Sequence, residues 1–234
     1  MAAELHVLCA GAVKGLVVAL QPGFEAAAGV RLHARFGAVG AMRDELRAGT
    51  PCDVFVATAA MVASLVDDGA LAAGSQAPVG RVEAAIAVRD GARRPDVASS
   101  EALRTALLAA TALYLPDATL STAGAHVVAV FDALAIREQM SSRLRMHPNG
   151  ATAMRELAAS GDDGALGCTQ ETEIRYTPGL VLLAPLPPPH ALATVYVAAV
   201  AATARNVEAA RSFVALLSGP VSAERRRAGG FGAV

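Results

Sequence analysis

The stretch Val7-Leu-Cys-Ala-Gly-Ala-Val-Lys-Gly-Leu-Val-Val-Ala-Leu20 decides the fold, because it passes from a strand to a helix through a turn of small residues. The apolar run at residues 5–9 is typical of a buried strand. After Ala10-Gly11 the apolar residues follow the period of a helix. They are Val13, Leu16, Val17, Leu20 and Phe24. The pattern predicts strand, turn and helix, which is the start of an α/β ligand-binding domain.

The turn after the first strand carries few side chains, so the first backbone N–H groups of the following helix are exposed there. Unpaired N–H groups and the positive end of the helix dipole together attract anions. Lys14, the only lysine in the sequence, is the one cationic side chain of this region, and it can face either a ligand or solvent. We therefore expect an anion-binding site at Gly11, Ala12, Val13 and Lys14.

Two further strand–helix pairs follow at once. Residues 30–36 alternate between apolar and polar side chains, which is typical of a half-buried strand. Gly37-Ala-Val-Gly40 is a second turn of small residues, and the short helix after it ends at Gly49. Residues 53–57 then predict a third strand and residues 60–68 a third helix. Three strand–helix units in succession favour a parallel sheet with helices on its faces.

The remainder of the chain continues as alternating strands and helices. Apolar runs predict further strands at residues 83–88, 112–115, 143–146, 164–169, 179–186 and 194–201. Helices are expected to begin at Thr122 and near His147-Pro-Asn-Gly150, and an amphipathic helix is expected over residues 207–217. The pattern as a whole predicts an α/β protein without internal repeats.

The composition limits the class of protein. A chain of 234 residues is long enough for one large domain or for two lobes. The mean hydropathy is +0.43, but no apolar run approaches the ~20 residues that a membrane-spanning helix needs. The net charge of −1 gives no electrostatic reason to expect binding to nucleic acid or to a membrane surface. We therefore expect neither a nucleic-acid partner nor membrane insertion.

The N-terminus and the cysteines bear on location and chemistry. Residues 1–6 enter the first strand without the basic and apolar regions of a secretory signal, so we expect a cytoplasmic protein, or a periplasmic one whose signal has been removed. Cys9, Cys52 and Cys168 lie in or beside apolar runs and are expected to be buried free thiols. No serine-hydrolase, Walker, dinucleotide or metal-ligand motif is present, so we expect no cofactor and no metal.

Several segments resemble, in collinear order and over essentially the whole chain, the molybdate-binding protein family. These proteins are the substrate-binding components of ABC importers for molybdate and tungstate. The most specific matches are Ala48-Gly-Thr-Pro-Cys-Asp-Val-Phe-Val-Ala57, residues 213–220 and Gly229-Gly-Phe231. The other matches are Ala10-Gly-Ala-Val13, Arg35-Phe-Gly-Ala-Val-Gly-Ala41, Thr122-Ala-Gly-Ala125 and Ala165-Leu-Gly167.

This resemblance implies the two-lobed type II periplasmic-binding-protein fold. It is an α/β architecture in which each lobe is a mostly parallel sheet flanked by helices, with the ligand cleft between the lobes. Residues 1–82 and 195–234 would form lobe I, and residues 83–194 would form lobe II. Hinge strands would lie near residues 83–88 and 194–198, where the chain leaves one core and returns to it. An ABC importer permease would be the protein partner.

In the resembled family the oxyanion is held by neutral donors, which are backbone N–H groups at helix starts, two serine hydroxyls and a tyrosine. The serine positions correspond here to Ala12 and Val39, and the tyrosine position corresponds to Gln170. The backbone donors correspond to Ala123 and to Asn149 or Gly150. With the turn residues on either side, the implied ligand-binding set is Gly11, Ala12, Val13, Lys14, Ala38, Val39, Gly40, Thr122, Ala123, Gly124, Asn149, Gly150 and Gln170.

The chain keeps the backbone positions of the family but has lost all three side-chain donors. A hydrogen bond to a charged group contributes about 1.5–3 kcal/mol, so these losses weaken oxyanion binding by several orders of magnitude. An anion with an apolar body suits Ala12 and Val39 better than a metal oxyanion does. We therefore expect the ligand to be a small organic carboxylate. Its polar contacts would come from Lys14, Gln170, Thr122, Asn149, His126 and His147.

An alternative function follows from a second resemblance. Gly167-Cys-Thr-Gln170-Glu-Thr-Glu-Ile174, taken as a strand, resembles a signal-less branch of the family. Some relatives with this frame, the aconitate isomerases, catalyse allylic proton shifts on unsaturated tricarboxylates, which need a base and donors for the developing enolate. The candidate bases are His126, His147 and Glu171, while Glu173 is expected at the hinge or the surface. The remaining alternatives are a structural role for His126 on a helix surface and a ligand-sensing role for the whole chain.

Overall fold

A computed structural model describes residues 3–234 of the chain. Met1 and Ala2, on which the interpretation of the N-terminus partly rests, lie outside the described residues. The chain forms two compact units. Unit 1 consists of the residues up to Val82 together with Thr194–Val234, and unit 2 consists of Glu83–Ala193.

The described residues form nine strands and ten α-helices. The strands are β1 (Ala3–Ala10), β2 (Val30–Gly37), β3 (Val54–Thr58), β4 (Ala77–Arg89), β5 (Leu113–Pro116), β6 (Leu144–His147), β7 (Leu166–Gln170), β8 (Leu180–Pro185) and β9 (Ala193–Val200). The helices are α1 (Lys14–Ala28), α2 (Val39–Arg47), α3 (Ala59–Asp67), α4 (Ser100–Ala109), α5 (Thr122–Ala133), α6 (Arg137–Ser141), α7 (Gly150–Ala159), α8 (Glu171–Tyr176), α9 (Val207–Ser218) and α10 (Ala223–Ala228). Short 3-10 helices, Gly11–Val13 and Pro220–Ser222, precede α1 and α10. Over residues 3–234, no helix combines the length and the apolar composition that crossing a membrane requires.

The sheet of unit 1 has the strand order β2-β1-β3-β9. β1 pairs in parallel with β2 and β3, whereas β9 is antiparallel to β3. The register places Ala10 opposite Gly37 and Cys9 opposite Val56, so the three parallel strands end at the same edge. The parallel sheet expected from the first three strand–helix units is therefore confirmed.

The helix predicted after the first turn is α1, and its apolar stripe faces the core of unit 1. Its buried residues are Leu16, Val17, Leu20 and Phe24. The Phe24 ring packs against Phe213 of α9 with ring centroids 4.8 Å apart. α1 ends at Gly29, which has a φ of 65° and donates its N–H to the carbonyl oxygen of Glu25 at 3.0 Å. This left-handed conformation favours glycine, as the sequence predicts.

The sheet of unit 2 has the order β8-β4-β7-β5-β6. β5 pairs in parallel with β6 and β7, and β4 is antiparallel to β7 and β8. Leu113 lies opposite both Leu144 and Leu166, so β5, β6 and β7 run in the same direction and end at one edge. Unit 2 therefore resembles unit 1 in having a mixed sheet with three strands that run parallel to one another.

Both faces of β4 are buried within unit 2. Ile86 belongs to a hydrophobic cluster that includes Phe131 and Met140, whereas its neighbour Ala85 belongs to a second cluster with Leu157. A strand that is covered on both faces carries a continuous apolar sequence instead of an alternating one. This explains why the apolar run at residues 83–88 correctly predicted a strand.

The structure differs from the expected elements in three places. β4 begins at Ala77 instead of near Glu83, α6 has no counterpart in the prediction, and α8 replaces the strand expected to continue through Ile174. α6 and α8 contain five and six residues. Helices shorter than two turns do not display a helical period in the sequence. The interpretation of residues 167–174 as one strand is therefore wrong beyond Gln170.

Candidate functional site

The residues expected to bind ligand lie where parallel strands end. β1, β2 and β3 end at one edge of the unit 1 sheet, and each is followed by a helix. β5, β6 and β7 end at one edge of the unit 2 sheet and are followed by α5, α7 and α8. The carboxyl ends of parallel strands are where ligands bind in open α/β sheets. We call residues 11–14 and 38–40 the unit 1 edge, and residues 122–124, 149, 150 and 170 the unit 2 edge.

In the unit 1 edge, β1 passes into α1 through the 3-10 helix Gly11–Val13. Ala10 precedes the 3-10 helix and Val13 precedes α1, and neither side chain accepts a hydrogen bond from the helix backbone. Ala12 is buried, with 4% of its surface exposed. Because alanine and valine cannot act as caps, this helix start has no side-chain acceptor of its own for its first N–H groups.

The start of α2 in the unit 1 edge has the same character. Ala38 is its N-cap residue and supplies no side-chain acceptor, and Val39 behind it is buried with 8% of its surface exposed. α3, which follows the third strand of the same sheet, is different, because Thr58 Oγ1 accepts the N–H of Met61 at 3.4 Å. Adjacent strands lie about 4.8 Å apart, so the uncapped helix starts after β1 and β2 are neighbours.

Lys14 is half-buried at the start of α1 and contacts an aromatic ring. Its Nζ lies 5.6 Å from the ring centroid of Phe36, which is close to the carboxyl end of β2. An ammonium group at this distance from a ring is attracted by the negative face of the ring. The positive charge of Lys14 is therefore held beside the unit 1 edge, where it favours an anion.

In the unit 2 edge, α5 begins with its own side-chain cap. Ser121 is the N-cap residue, and its Oγ accepts the N–H of Gly124 at 3.4 Å. Ala123 and Gly124 are buried. A Cβ atom on Gly124 would lie 2.4 Å from the carbonyl oxygen of Pro116, so the helix can approach β5 this closely only with glycine.

The start of α7 is satisfied by two side chains of unit 2. Asn149 is its N-cap residue, and Asn149 Oδ1 accepts the N–H of Thr152 at 2.9 Å. The N–H of Ala151 donates to the carboxylate of Glu173. This carboxylate also accepts the hydroxyl of Thr169, with 2.5 Å between Thr169 Oγ1 and Glu173 Oε2. The side-chain oxygen of Asn149 is thus committed to its own helix.

Glu173 is a buried carboxyl group and not the hinge or surface residue expected from the sequence. Only 6% of its surface is exposed. Burial raises the pKa of Glu173 to about 7, and the hydrogen bonds from Thr169 and from the backbone of Ala151 and Gln170 oppose this shift. The sequence does not indicate this role, because its pattern predicts a strand over residues 167–174, where the structure has α8.

Gln170 is the last residue of β7 and the N-cap residue of α8. It is buried, with 3% of its surface exposed, and its side chain does not cap α8. Parallel pairing of β7 with β5 brings Gln170 to the same edge as the start of α5. The structure therefore places this residue with the other members of the unit 2 edge.

His126 lies in the first turns of α5, and its ring is held by a backbone carbonyl group. His126 Nε2 lies 2.8 Å from the carbonyl oxygen of His190. Because a carbonyl oxygen only accepts, Nε2 carries the hydrogen, and in the neutral ring Nδ1 is the nitrogen that can take up a proton. His190 is itself buried, and its Nε2 lies 2.7 Å from Ser100 Oγ. The sequence offered no indication of this pairing, since His126 and His190 are far apart along the chain.

The other two candidate bases have structural contacts. His147 ends β6, and its ring stacks on Tyr114 with a centroid distance of 5.8 Å and an interplanar angle of 9°. Glu171 pairs with Arg175 one turn later in α8, with 2.5 Å between Glu171 Oε1 and Arg175 Nε. Among the three candidates, His126 is the one whose ring nitrogen is held by a backbone carbonyl group.

The cysteines are not candidates for catalysis. Cys9, Cys52 and Cys168 are free and buried, which confirms the expectation from their apolar surroundings. Burial raises the pKa of Cys52 and of Cys168 to about 12, and it raises the pKa of Cys9 as well. Since the thiolate is the reactive form, these thiols are inert at neutral pH. Within residues 3–234 no group of three or more His, Cys, Asp or Glu side chains is arranged to hold a metal ion.

Residues 5–232 match the family model described as bacterial extracellular solute-binding protein. An aconitate isomerase from Pseudomonas sp is 27% identical over 220 residues, which cover 92% of this chain and 82% of that protein. Both resemblances inferred from the sequence motifs are thereby confirmed as similarities.

Solved structures show the same fold at low sequence identity. The periplasmic molybdate-binding protein of Azotobacter vinelandii has a TM-score of 0.75 and 19% identity, covering 97% of this chain and 98% of that chain. The sulfate-binding protein SubI of Mycobacterium tuberculosis H37Rv has a TM-score of 0.74 and 18% identity, covering 98% of this chain and 86% of that chain. The α/β periplasmic-binding-protein fold expected from the sequence is confirmed by these similarities.

Proposed function

The chain belongs to the family of bacterial extracellular solute-binding proteins, and we propose that its ligand is a small organic carboxylate. The observation that carries this proposal is the unit 1 edge. Two neighbouring helices begin there without a side-chain cap, beside the buried apolar residues Ala12 and Val39. We infer that this ligand is anionic, that it has an apolar body and that it is passed to the permease of an importer.

The charge follows from the donors of the unit 1 edge. Helix starts without side-chain acceptors have N–H groups to offer, and the helix dipoles favour a negative group in front of them. Lys14 adds a full positive charge beside the same edge. A carboxylate is small enough to accept two such hydrogen bonds and carries one negative charge. These features support an anionic ligand.

We infer that the ligand has an apolar part from the residues at the positions where the resembled proteins have hydroxyl groups. The solved relatives named above are a molybdate-binding protein and a sulfate-binding protein. Here Ala12 and Val39 offer methyl groups in place of hydroxyl donors. A metal oxyanion has no apolar surface to place against methyl groups, whereas a carboxylic acid has a hydrocarbon part. This difference favours a carboxylate over molybdate, tungstate or sulfate.

The fate of the ligand follows from the family. A solute-binding protein of this type would pass its ligand to the permease of an ABC importer, and we include this partner in the proposal. This role would place the protein in the periplasm. The cytoplasmic location expected from the N-terminal sequence is the alternative prediction. Cell fractionation followed by immunoblotting separates the two locations.

Thermal-shift measurements followed by calorimetry test the ligand. The panel contains mono-, di- and tricarboxylates together with molybdate, tungstate and sulfate. A specific ligand at 100 times its Kd stabilises the folded state by about 2.7 kcal/mol, so the true ligand gives a clear rise in Tm. We expect at least one carboxylate to do this and the metal oxyanions to have little effect. Stabilisation by molybdate alone, or by no anion at all, would overturn the proposal.

The similarity to an aconitate isomerase supports a second candidate, an isomerase of unsaturated carboxylates. In such a reaction a base removes a proton from one allylic carbon, the double bond shifts, and the proton returns to the other end of the allylic system. His126 Nδ1 would act as the base and then as the acid, because His126 Nε2 is bound to the carbonyl oxygen of His190. Helix N-termini would stabilise the negative charge that develops on the carboxylate during the transfer.

Incubation of unsaturated mono- and tricarboxylates with the protein in D₂O tests this candidate. An isomerase is expected to introduce deuterium at the allylic carbon and to form the isomer, both visible by NMR. His126→Ala should abolish both while the fold is retained, and His147→Ala should leave the exchange measurable. If the wild-type protein binds the acids without exchange, the protein is a binding protein and the isomerase candidate is wrong.

A further inference from the structure

We infer that the N-terminus of α7 already holds an anion, the carboxylate of Glu173, and that this carboxylate determines which ligand charge the unit 2 edge accepts. The inference rests on the proposed function for its second part only. Its first part, an internal anion in a fitted cradle, stands on the contacts within unit 2.

The cradle is built from three adjacent segments. β7 contributes the hydroxyl of Thr169, which donates to Glu173 Oε2 over 2.5 Å, and the first turn of α7 contributes the N–H of Ala151. Gly150 has no side chain and so leaves room for the carboxylate. A Cβ atom at Gly150 would lie 2.0 Å from Glu173 Oε2 and 2.1 Å from Thr169 Oγ1, so any larger residue would displace the carboxylate. The carboxylate therefore fits this helix start only because residue 150 is glycine.

Two N–H groups in the first turn of α7 donate to side chains of the protein. Ala151 donates to Glu173, and Thr152 donates to Asn149 Oδ1 at 2.9 Å. An external anion that binds the N–H of Ala151 would have to displace a buried carboxylate that is attached to the chain. The attached group has already lost its freedom on folding, which gives it an advantage over a free anion. α7 is thus the one helix start of the unit 2 edge that is filled by an ionisable group.

The buried carboxylate has a consequence for ligand charge. Gln170 stands three residues before Glu173, and a backbone hydrogen bond links it to the Glu173 carboxylate. At a pH above the Glu173 pKa of about 7, where its carboxyl group is ionised, a ligand group that reaches the unit 2 edge therefore meets a negative charge in a poorly hydrated environment, where like charges repel strongly. A hydroxyl or another neutral donor is favoured there over a second anionic group. The preferred ligand class is a monocarboxylate, and dianions such as sulfate and molybdate are disfavoured.

Rescue with formate tests the cradle without any knowledge of the natural ligand. Glu173→Ala removes the carboxylate but leaves Thr169, Ala151 and Gly150 in place. We expect this variant to lose stability and to regain it with added sodium formate in a saturable manner, measured by Tm against equal concentrations of sodium chloride. The wild-type protein and Glu156→Ala, which removes an exposed carboxylate from α7, should show no such rescue. Absence of formate rescue would overturn the first part.

Calorimetry on Glu173→Gln tests the second part, which is the effect of the Glu173 charge on the ligand. This variant also keeps the inference testable if Glu173→Ala does not fold. Glutamine keeps the shape of the side chain and removes the charge. We expect its affinity for sulfate and molybdate, relative to acetate and lactate, to rise on the order of tenfold over wild type. An unchanged ratio would overturn the ligand-charge part. If no anion binds to either protein, the proposed function and the ligand-charge part both fail, and the formate result still decides whether the cradle exists.

Discussion

The two ligand edges are built alike but treat their helix starts differently. In each unit, parallel strands end at one edge and helices begin there. In the unit 1 edge the residues before α1 and α2 are apolar and provide no cap. In the unit 2 edge Ser121 caps α5 and Asn149 caps α7, and only the short helix α8 begins without a side-chain cap. Glu173 satisfies a further donor of α7. The same secondary structure thus leaves donors to a ligand only where the sequence provides no internal acceptor.

This difference has a cost in stability that points to function. Replacing a good N-cap residue by alanine lowers stability by about 1 kcal/mol. The two neighbouring helices without caps therefore lack stability that one substitution at each N-cap position would restore. A ligand that accepts from these N–H groups returns that stability when it binds. This cost in stability is what the proposed binding role of the unit 1 edge would explain.

The largest effect is expected when hydroxyl groups are returned to the unit 1 edge. Ala12→Ser combined with Val39→Ser adds two donors beside the uncapped helix starts. Since a hydrogen bond to a charged group contributes about 1.5–3 kcal/mol, the affinity for molybdate should rise by roughly 10² to 10⁴ in calorimetry. Ala60→Ser, at an exposed position of α3, is the matched control and should change nothing. An unchanged molybdate affinity would show that Ala12 and Val39 do not contact the ligand.

A second substitution acts on the cradle of the unit 2 edge. Gly150→Ala places a Cβ atom 2.0 Å from Glu173 Oε2, so the carboxylate must leave Thr169 or α7 must shift. We expect the free energy of unfolding, measured by urea denaturation, to fall by more than about 3 kcal/mol. Gly23→Ala in α1 is the control, because its Cβ would meet no atom within 4 Å. That control should be neutral or stabilising by up to about 1 kcal/mol, since alanine is the better helix former. A loss of equal size in both variants would contradict the cradle.

The pH dependence of stability tests Glu173 directly. Its pKa is about 7 in the folded protein against 4.5 in an unperturbed side chain, so the folded state binds the proton more tightly. The stabilisation that the folded state gains from this tighter proton binding is fully present below pH 4.5 and is lost as the pH rises through 7. Relative to Glu173→Gln, the wild-type protein should lose about 3 kcal/mol of unfolding free energy between roughly pH 4 and pH 8. Parallel pH profiles for the two proteins would show that Glu173 is not buried in this way.

The long elements of both units could be predicted from the sequence because their patterns are long enough to show a period. The first three strand–helix units and the glycine at the end of α1 are examples, and the structure confirms them. α6 and α8 could not be predicted, since five or six residues span less than two helical turns. The extent of β4 before Glu83 was also missed, because Gly80 and Arg81 interrupt its apolar run.

The unit 1 edge was easier to predict than the unit 2 edge for a physical reason. Its features are local, because a turn of small residues directly before an amphipathic helix is visible in one stretch of sequence. The role of Glu173 depends instead on contacts with Thr169 and with Ala151 at the start of a different helix. Likewise, the ring of His126 is oriented by the carbonyl group of His190, 64 residues away. Contacts of this kind depend on tertiary structure and leave no periodic trace.

The smallest expected effects come from exchanging the capping behaviour of the two edges. Asn149→Ala removes the side-chain oxygen that accepts from Thr152 and should lower the free energy of unfolding by about 1 kcal/mol. Ala38→Ser places a hydroxyl at the uncapped N-cap position of α2 and should raise the free energy of unfolding by up to about 1 kcal/mol in the absence of ligand. Both values are measured by urea denaturation against the wild-type protein.

The ligand affinities of these two variants give the sharper test, because stability and binding are expected to change in opposite directions only at the unit 1 edge. A serine cap at position 38 accepts an N–H group that the ligand would otherwise use, so the carboxylate affinity should fall while the unliganded protein becomes more stable. Asn149→Ala should lower stability, and it leaves the donors of the unit 1 edge untouched. If Ala38→Ser gains stability and keeps full affinity, the N–H groups of α2 are not ligand donors, and the proposed site is reduced to the start of α1.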